Sequence, residues 1–373
     1  LTSRPPKVPI PTMRIAYVIN SLEGGGAAFP VPSITRVFRE AGHDVAIFAL
    51  TRRDGLAEPP MRAAGLDVFT CQASPHDHLD AFRWLMQTLK AWQPTHLWTS
   101  LTRATIFGQL AGRRLRVPVA SWQHSARLKP GNRLLLRMTR NLSCLWIGDS
   151  RYVTEITRQS LSIPPSRLAC WPIFCAKAST ARATPWTQGE PLRLGSLGRL
   201  HPVKGYAELL QALALLKTAD LPRFELIIAG EGQERSRLET LITQHGLSDR
   251  VHLPGFTAHT EQFLTSLHLY LQPSRWEGFC IAAHEAMLAG LPVIGSRVGE
   301  MTYSIENGVT GWHVPPRNPE ALASALHHAL SRPDALAEMG TSARNLVLSR
   351  YGEETFRQTG FSLLERLEQS SPA

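Results

Sequence analysis

The order of short apolar runs and glycine turns constrains this chain more than any other feature. "MRIAYVI" is followed by the loop "NSLEGGGAAF", then by a helical stretch stopped at Gly42, then by a second apolar run within "HDVAIFAL". Strand, glycine loop, helix and strand make one right-handed parallel unit. "HLWTS", "VPVASWQH" and "CLWIGDS" continue the alternation, so the first half reads as doubly wound. The rhythm stops in "AKASTARATPWTQGEP", a small, polar, proline-containing linker at 176–191. It restarts with the strands "LRLGSLGRL", "FELIIAGEG", "RVHLPGF", "LHLYLQP" and "LPVIGS" and the helices "GYAELLQALALLKT" and "SRLETLITQHG".

At 373 residues the chain exceeds the size at which one core keeps growing. The expected architecture is α/β, with two doubly wound Rossmann-like domains over 13–178 and 179–351 facing a central cleft, and a helical tail over 352–373. Ligands in such folds bind outside the carboxyl ends of the strands. Residues 1–12, within "LTSRPPKVPIPTM", are proline-rich without an apolar signal core and are expected to be a disordered leader. No run of about 18 apolar residues occurs, so no helix is expected to span a bilayer. Five cysteines, an odd number without metal-ligand spacing, suit a reduced, cytoplasmic compartment.

The net charge of +10 is concentrated. Between Ala81 and Gly148 there is no acidic residue, while basic residues recur throughout. In this window Arg127 and Lys129 precede "GNRLLLRMTRNL", where Arg133, Arg137 and Arg140 follow helical spacing beside Leu134, Leu135 and Met138. This pattern describes a basic amphipathic surface helix. An anionic membrane surface is its natural partner, with a merely solvated basic face as the alternative; nucleic acid is the second candidate ligand and is not the expected one.

Two acids stand out in "SRWEGFCIAAHEAMLAGLPVI", residues 274–294. Placed on helical geometry, Glu277 and Glu285 lie about 12 Å apart, too far to share one metal ion but suited to the two ends of an elongated ligand. Gly278, Phe279, Cys280 and Ile281 would open the helix, and free amides there attract phosphate. His284, next to Glu285, reads as helix surface. "GRLHPVKG" puts Arg199 and Lys204 after a strand without nearby acids, which suits a diphosphate. Gly24, Gly25 and Gly26 expose amides after the first strand, but "GGGAAFP" does not complete a G-x-G-x-x-G dinucleotide fingerprint. No Asp-x-Asp metal clamp occurs, so no metal or other cofactor is expected and the cations would meet leaving-group charge. His124, in "SWQHS" at a strand end, is a candidate for sugar hydrogen bonding or proton transfer, or a polar residue without chemical duty. The loop at Gly255 and Phe256 is a candidate neighbour of a nucleotide base.

After Met13 the chain resembles the retaining GT-B glycosyltransferases of family 4, most strongly through the E-x7-E of "EGFCIAAHE". The resemblance implies that Glu277 contacts the transferred sugar, Glu285 holds the nucleotide ribose, Arg199 and Lys204 grip the diphosphate, Gly25 and Gly26 approach it from the first domain, and His124 lies near the reacting sugar. It implies retention without a metal, a UDP- or GDP-linked donor, and a C-terminal helix crossing back to the first domain. Three stretches depart from the family pattern. Glu300 and Tyr303 in "VGEMTYSIENG" stand where Gly and Glu are more usual, Cys280 stands where Gly is frequent, and "GGAAF" lacks the charged residue that often follows. The expected function is hexose transfer to a lipid-linked or polysaccharide acceptor, peripheral on the inner face of the membrane. The alternatives are a small soluble acceptor, or a binding protein that kept the fold without turnover.

Overall fold

A computed structural model describes residues 13–74, 76–216 and 221–372, and the expected leader at 1–12 lies outside them. The chain divides into two compact units. The first comprises the chain through Asp149, Thr154–Ile173 and the chain from Arg357 onward; the second comprises Ser150–Val153 and Phe174–Phe356.

The first unit holds β1 (Arg14–Ile19), β2 (Asp44–Ala49), β3 (Asp67–Thr70), β4 (His96–Ser100), β5 (Val119–Gln123), β6 (Leu145–Gly148) and β7 (Leu168–Cys170). They pair in the order β3-β2-β1-β4-β5-β6-β7, all parallel. The second unit holds β8 (Leu192–Leu197), β9 (Phe224–Ala229), β10 (Val251–Gly255), β11 (Leu269–Gln272), β12 (Val293–Ser296) and β13 (Gly311–Val314), in the order β10-β9-β8-β11-β12-β13. These pairings are parallel too. In each sheet the order reverses beside the first strand of the unit, the position where open α/β sheets bind ligands.

Both sheets are covered on both faces, as parallel sheets require. Ala16, Val18, Phe48, Leu85, Leu89 and Leu97 fill one side of the first sheet. On the other, Phe38, Trp98, Trp122 and Trp171 form a ring cluster, with Trp122 and Trp171 stacked at 5.0 Å between centroids. Leu194, Leu209, Leu213, Leu226 and Ile228 lie at the centre of the second unit's core. Each such buried aliphatic side chain contributes about 1.5–3 kcal/mol.

Two expectations about boundaries are corrected. The linker expected at 176–191 is tied to the second unit in its first part. Arg344 donates to the carbonyls of Ala178 at 2.7 Å and Thr180 at 2.9 Å, and the Ala183 N–H donates to Ala289 O. The Ala176 N–H also donates to Tyr351 O at 2.7 Å, and the boundary lies at 173/174 instead of 178/179. The tail divides at 356/357 rather than 351/352, inside the helix Glu353–Glu368. Its later part belongs to the first unit: Arg357 pairs with Glu40 at 2.8 Å, and Arg366 donates to Ser166 O at 3.0 Å. Gly360 is glycine because a Cβ would stand 2.6 Å from the Trp171 ring.

Candidate functional site

In the second unit, the loop after β8 carries Arg199 and Lys204, and the loop after β11 carries Glu277. Glycines let these loops meet. Gly205 has φ +71°, and a Cβ there would lie 2.0 Å from Pro273 O, so no other residue fits. Arg275 N–H can then donate to Val203 O at 2.7 Å. Gly299, φ +59°, brings the loop after β12 onto the same segment; a Cβ would lie 2.4 Å from Gly278 O.

The result is an ion pair. Lys204 Nζ donates to Glu277 Oε1 at 2.7 Å, with side-chain exposures of only 19% and 13%. The expectation that Lys204 has no acid nearby is therefore corrected, because tertiary approach supplies one 73 residues away. Burial works most strongly on the Lys204 ammonium and lowers it, while Glu277, together with Cys280 and Tyr206, raises it, and the group ends above its ordinary value. Ser274 Oγ at 2.6 Å and Gln272 Nε2 at 3.3 Å donate to the same Oε1. The hydrogen bonds to the Glu277 carboxylate from Lys204, Ser274 and Gln272 all fall on Oε1, and the Cys280 thiol is a further side-chain partner of the carboxylate. Arg199, exposed, likewise has no hydrogen bond or ion pair among them.

The helix following Glu277 spans Ile281–Leu288, preceded by Cys280 at φ +66°. Glu277 thus lies in the turn before the helix, and the helical estimate of its separation from Glu285 does not apply. Cys280, buried, occupies a left-handed conformation that favours glycine, which explains why glycine would suit this position. Burial raises its thiol well above the ordinary range, so the sulfur stays protonated. No side chain caps this helix, and its first amides have no intrahelical acceptor. Glu285 is half-buried without a hydrogen bond or ion pair among the described residues, and burial pushes its carboxyl upward.

His284 is fully buried, not helix surface. Its Nδ1 donates to Cys280 O at 2.9 Å, so its Nε2 accepts from Ser304 Oγ at 2.7 Å. The altered loop is absorbed by the same interior. Glu300 accepts from the Tyr351 hydroxyl and from Tyr152 N–H, both at 3.1 Å, and Tyr303 lies under the Arg151 guanidinium at 4.6 Å. Glu300 and Tyr303 thus hold neighbouring segments of the second unit.

At the end of β10, Gly255 has φ +95° with Glu231 Oε1 2.8 Å from where a Cβ would be, and Phe256, just beyond, is 71% exposed. In the first unit, a Cβ on Gly25 would meet nothing within 4 Å. Neither Gly25 nor Gly26 takes a positive φ, so local geometry makes no demand for glycine in this open loop after β1.

His124 is less free than the sequence suggests. Its Nε2 meets Ser100 Oγ at 2.7 Å, and its Nδ1 meets Asp149 Oδ2 at 3.3 Å. A proton-transfer or sugar-binding role would require one of these contacts to open. Sequence reading missed Ser100 and Asp149, although "HLWTS", "SWQH" and "IGD" each place a polar residue at the carboxyl end of neighbouring parallel strands. It also missed Gln272 and Ser274, within "LQPS".

The basic window forms the helix Pro130–Thr139, in which Arg133 and Arg137 are exposed beside Leu134 at 62%, Leu135 at 42% and Met138 at 74%. Arg127 and Lys129 are exposed before it, and Arg140 donates to Arg137 O at its end. No helix among the described residues is long and apolar enough to cross a membrane, and no group of three or more His, Cys, Asp or Glu among them could hold a metal ion.

The sequence matches the family described as "Glycosyl transferases group 1" over residues 180–346 and a "Glycosyl transferase 4-like domain" over 25–153. The chain belongs to the group 1 glycosyltransferases. Among relatives of this family member, the putative colanic acid biosynthesis glycosyltransferase WcaL of Salmonella typhimurium is 29% identical over 61% of this chain and 56% of its own. The amylovoran biosynthesis glycosyltransferase AmsK of Erwinia amylovora is 31% identical over 48% and 46%. The matched stretch thus spans about half the length of these curated relatives. The crystal structure of Anabaena Alr3699/HepE in complex with UDP-glucose superposes with a TM-score of 0.82 and 21% identity, over 95% of this chain and 99% of that one. The group 1 family member therefore has the GT-B fold.

Burial lowers the His284 imidazole to about 4 from its ordinary 6.5. Between those values the unfolded chain binds a proton that the folded one excludes, so stability rises with pH across that window and is lost as pH falls through it. Glu285, whose carboxyl is raised, acts with the opposite sign and is shared by parent and variant. Thermal midpoints from pH 7.5 to 4.5 should therefore fall less steeply in His284→Gln than in the parent, and parallel curves would contradict a neutral, buried His284.

Proposed function

We propose that this chain is a retaining, metal-independent hexosyltransferase. It moves a hexose from a UDP- or GDP-linked donor to a lipid-linked or polysaccharide acceptor of the cell envelope, at the inner face of the membrane. The observation that carries this reading is the Lys204–Glu277 pair before an uncapped helix on which Glu285 stands unpaired. That arrangement offers cations and amides for a diphosphate, with a carboxylate for hydroxyls on either side.

In this mechanism the helix amides and the Lys204 and Arg199 cations receive the diphosphate. As the bond from the anomeric carbon to the diphosphate oxygen breaks, negative charge grows on that oxygen, and preorganised donors lower the barrier because they need no reorientation. Glu277 presents a carboxylate oxygen to the transferred sugar, and Glu285 receives the ribose hydroxyls. Gly255 and Phe256 border the base. Retention follows the family resemblance, and the names of WcaL and AmsK support a cell-envelope polysaccharide as the product.

Membrane association rests on the Pro130–Thr139 helix, whose exposed leucines and methionine lie beside arginines. Apolar side chains with flanking cations suit the boundary of an anionic bilayer.

Two outcomes are expected. Lys204→Ala should lower donor turnover by roughly 100-fold or more, the scale of losing one charged contact to a developing anion, while circular dichroism shows the fold retained. Turnover within a few-fold of the parent would remove Lys204 from the chemistry. Arg133→Glu with Arg137→Glu should weaken binding to phosphatidylglycerol vesicles by about tenfold or more, given about 1 kcal/mol per basic residue. Undiminished co-sedimentation would contradict the membrane reading.

A further inference from the structure

Glu277 stands at the end of a buried chain of hydrogen bonds that runs from Tyr270 through Gln272 and Ser274. Tyr270 and Gln272 lie two residues apart on β11 and so share one face; both, with Ser274, are fully buried. The Leu197 N–H donates to the Tyr270 hydroxyl at 2.9 Å, and that hydroxyl has two acceptors in reach, Gln272 Oε1 at 3.1 Å and Leu197 O at 3.3 Å. The former contact orients the Gln272 amide, whose Nε2 faces Ser274 Oγ at 2.8 Å and Glu277 Oε1 at 3.3 Å. Ser274, having accepted from Gln272, donates to Glu277 Oε1 at 2.6 Å. The Lys204 ammonium completes three donors on one oxygen. The carboxylate is the acceptor at the end of the chain; its Oε1 takes these three donors, and the Cys280 thiol is its remaining side-chain partner.

We propose that Tyr270, Gln272 and Ser274 are positioning residues that saturate Glu277 Oε1, so that Oε2 alone is presented to the hexose of a nucleotide-sugar donor. This rests on the donor reading above and adds a task for side chains that need not touch the ligand. A carboxylate held by Lys204 alone could rotate about its terminal torsion and exchange its oxygens. With Ser274 and Gln272 fixed by Tyr270, rotation would break two further bonds, one of them charge-assisted and short. The direction of the chain also matters. A Gln272 amide turned the other way would set its carbonyl oxygen against the Glu277 carboxylate, whereas the observed orientation also gives the Tyr270 hydroxyl an acceptor in Gln272 Oε1.

The test uses the full chain with UDP, UDP-glucose, GDP and GDP-mannose as probes. Calorimetry gives the affinity of each sugar conjugate relative to its free diphosphate, and donor turnover is followed as a function of pH. Ser274→Ala should lower the relative affinity for the conjugate by about fivefold and kcat by about tenfold, with the free diphosphate bound within twofold of the parent. Ser274→Thr, which keeps the hydroxyl, should restore most of both. Gln272→Glu keeps the shape but sets a second acid beside Glu277, so the acid limb of the kcat profile should move to higher pH. Unchanged conjugate preference in Ser274→Ala, together with an unmoved profile in Gln272→Glu, would overturn the positioning role while leaving the donor reading intact. Failure of the parent to bind any of the four probes would instead overturn the donor reading and this proposal with it.

Discussion

The ion pair between Lys204 and Glu277 is the contact on which the second unit's site depends. Two partly buried charges gain from each other only when geometry and further hydrogen bonds offset the loss of water. This chain meets that condition through its backbone. Gly205 and Gly299 let three loops approach to distances that a Cβ would forbid, and the carboxylate then collects Ser274 and Gln272 as well as the lysine. Binding an anion there would redistribute an existing ion pair, whereas Arg199 and Glu285 are already free of partners among the described residues.

The first unit makes the opposite use of a titratable residue. His124 is held between Ser100 and Asp149 at the ends of β4 and β6, and its ring lies 5.3 Å from that of Trp122. Its two ring nitrogens thus tie the ends of two strands of the sheet together. The same unit exposes Leu134, Leu135 and Met138 on a helix rich in arginine, a surface whose apolar residues remain uncovered within the unit.

Much of this was legible because parallel sheets write themselves as apolar runs separated by glycine turns. "MRIAYVI", "HLWTS" and "FELIIAGEG" became β1, β4 and β9. The edge strands β3, β7 and β13 were not legible, since "DVFT", "LAC" and "GWHV" are short and bury little. Glu277 and Lys204 announced themselves by residue type beside glycine, and Glu285 by its spacing from Glu277. Their environment did not, because the Lys204 contact spans 73 residues and depends on how two loops pack. His284 misled for the same reason: its neighbours Ser304 and Tyr351 come from distant segments, and only packing shows that this side of the helix faces inward.

The central claim is that a nucleoside diphosphate binds the second unit through Lys204, the Ile281–Leu288 helix and Glu285 without a metal ion. Its most direct test is calorimetric titration of UDP and GDP into the full chain, with and without chelator, and into Glu285→Ala. The account predicts binding of one diphosphate, unaffected by chelator and weakened about tenfold or more in the variant, on the scale of hydrogen bonds to a charged group. No binding of either nucleotide, or binding that chelator abolishes, would contradict it.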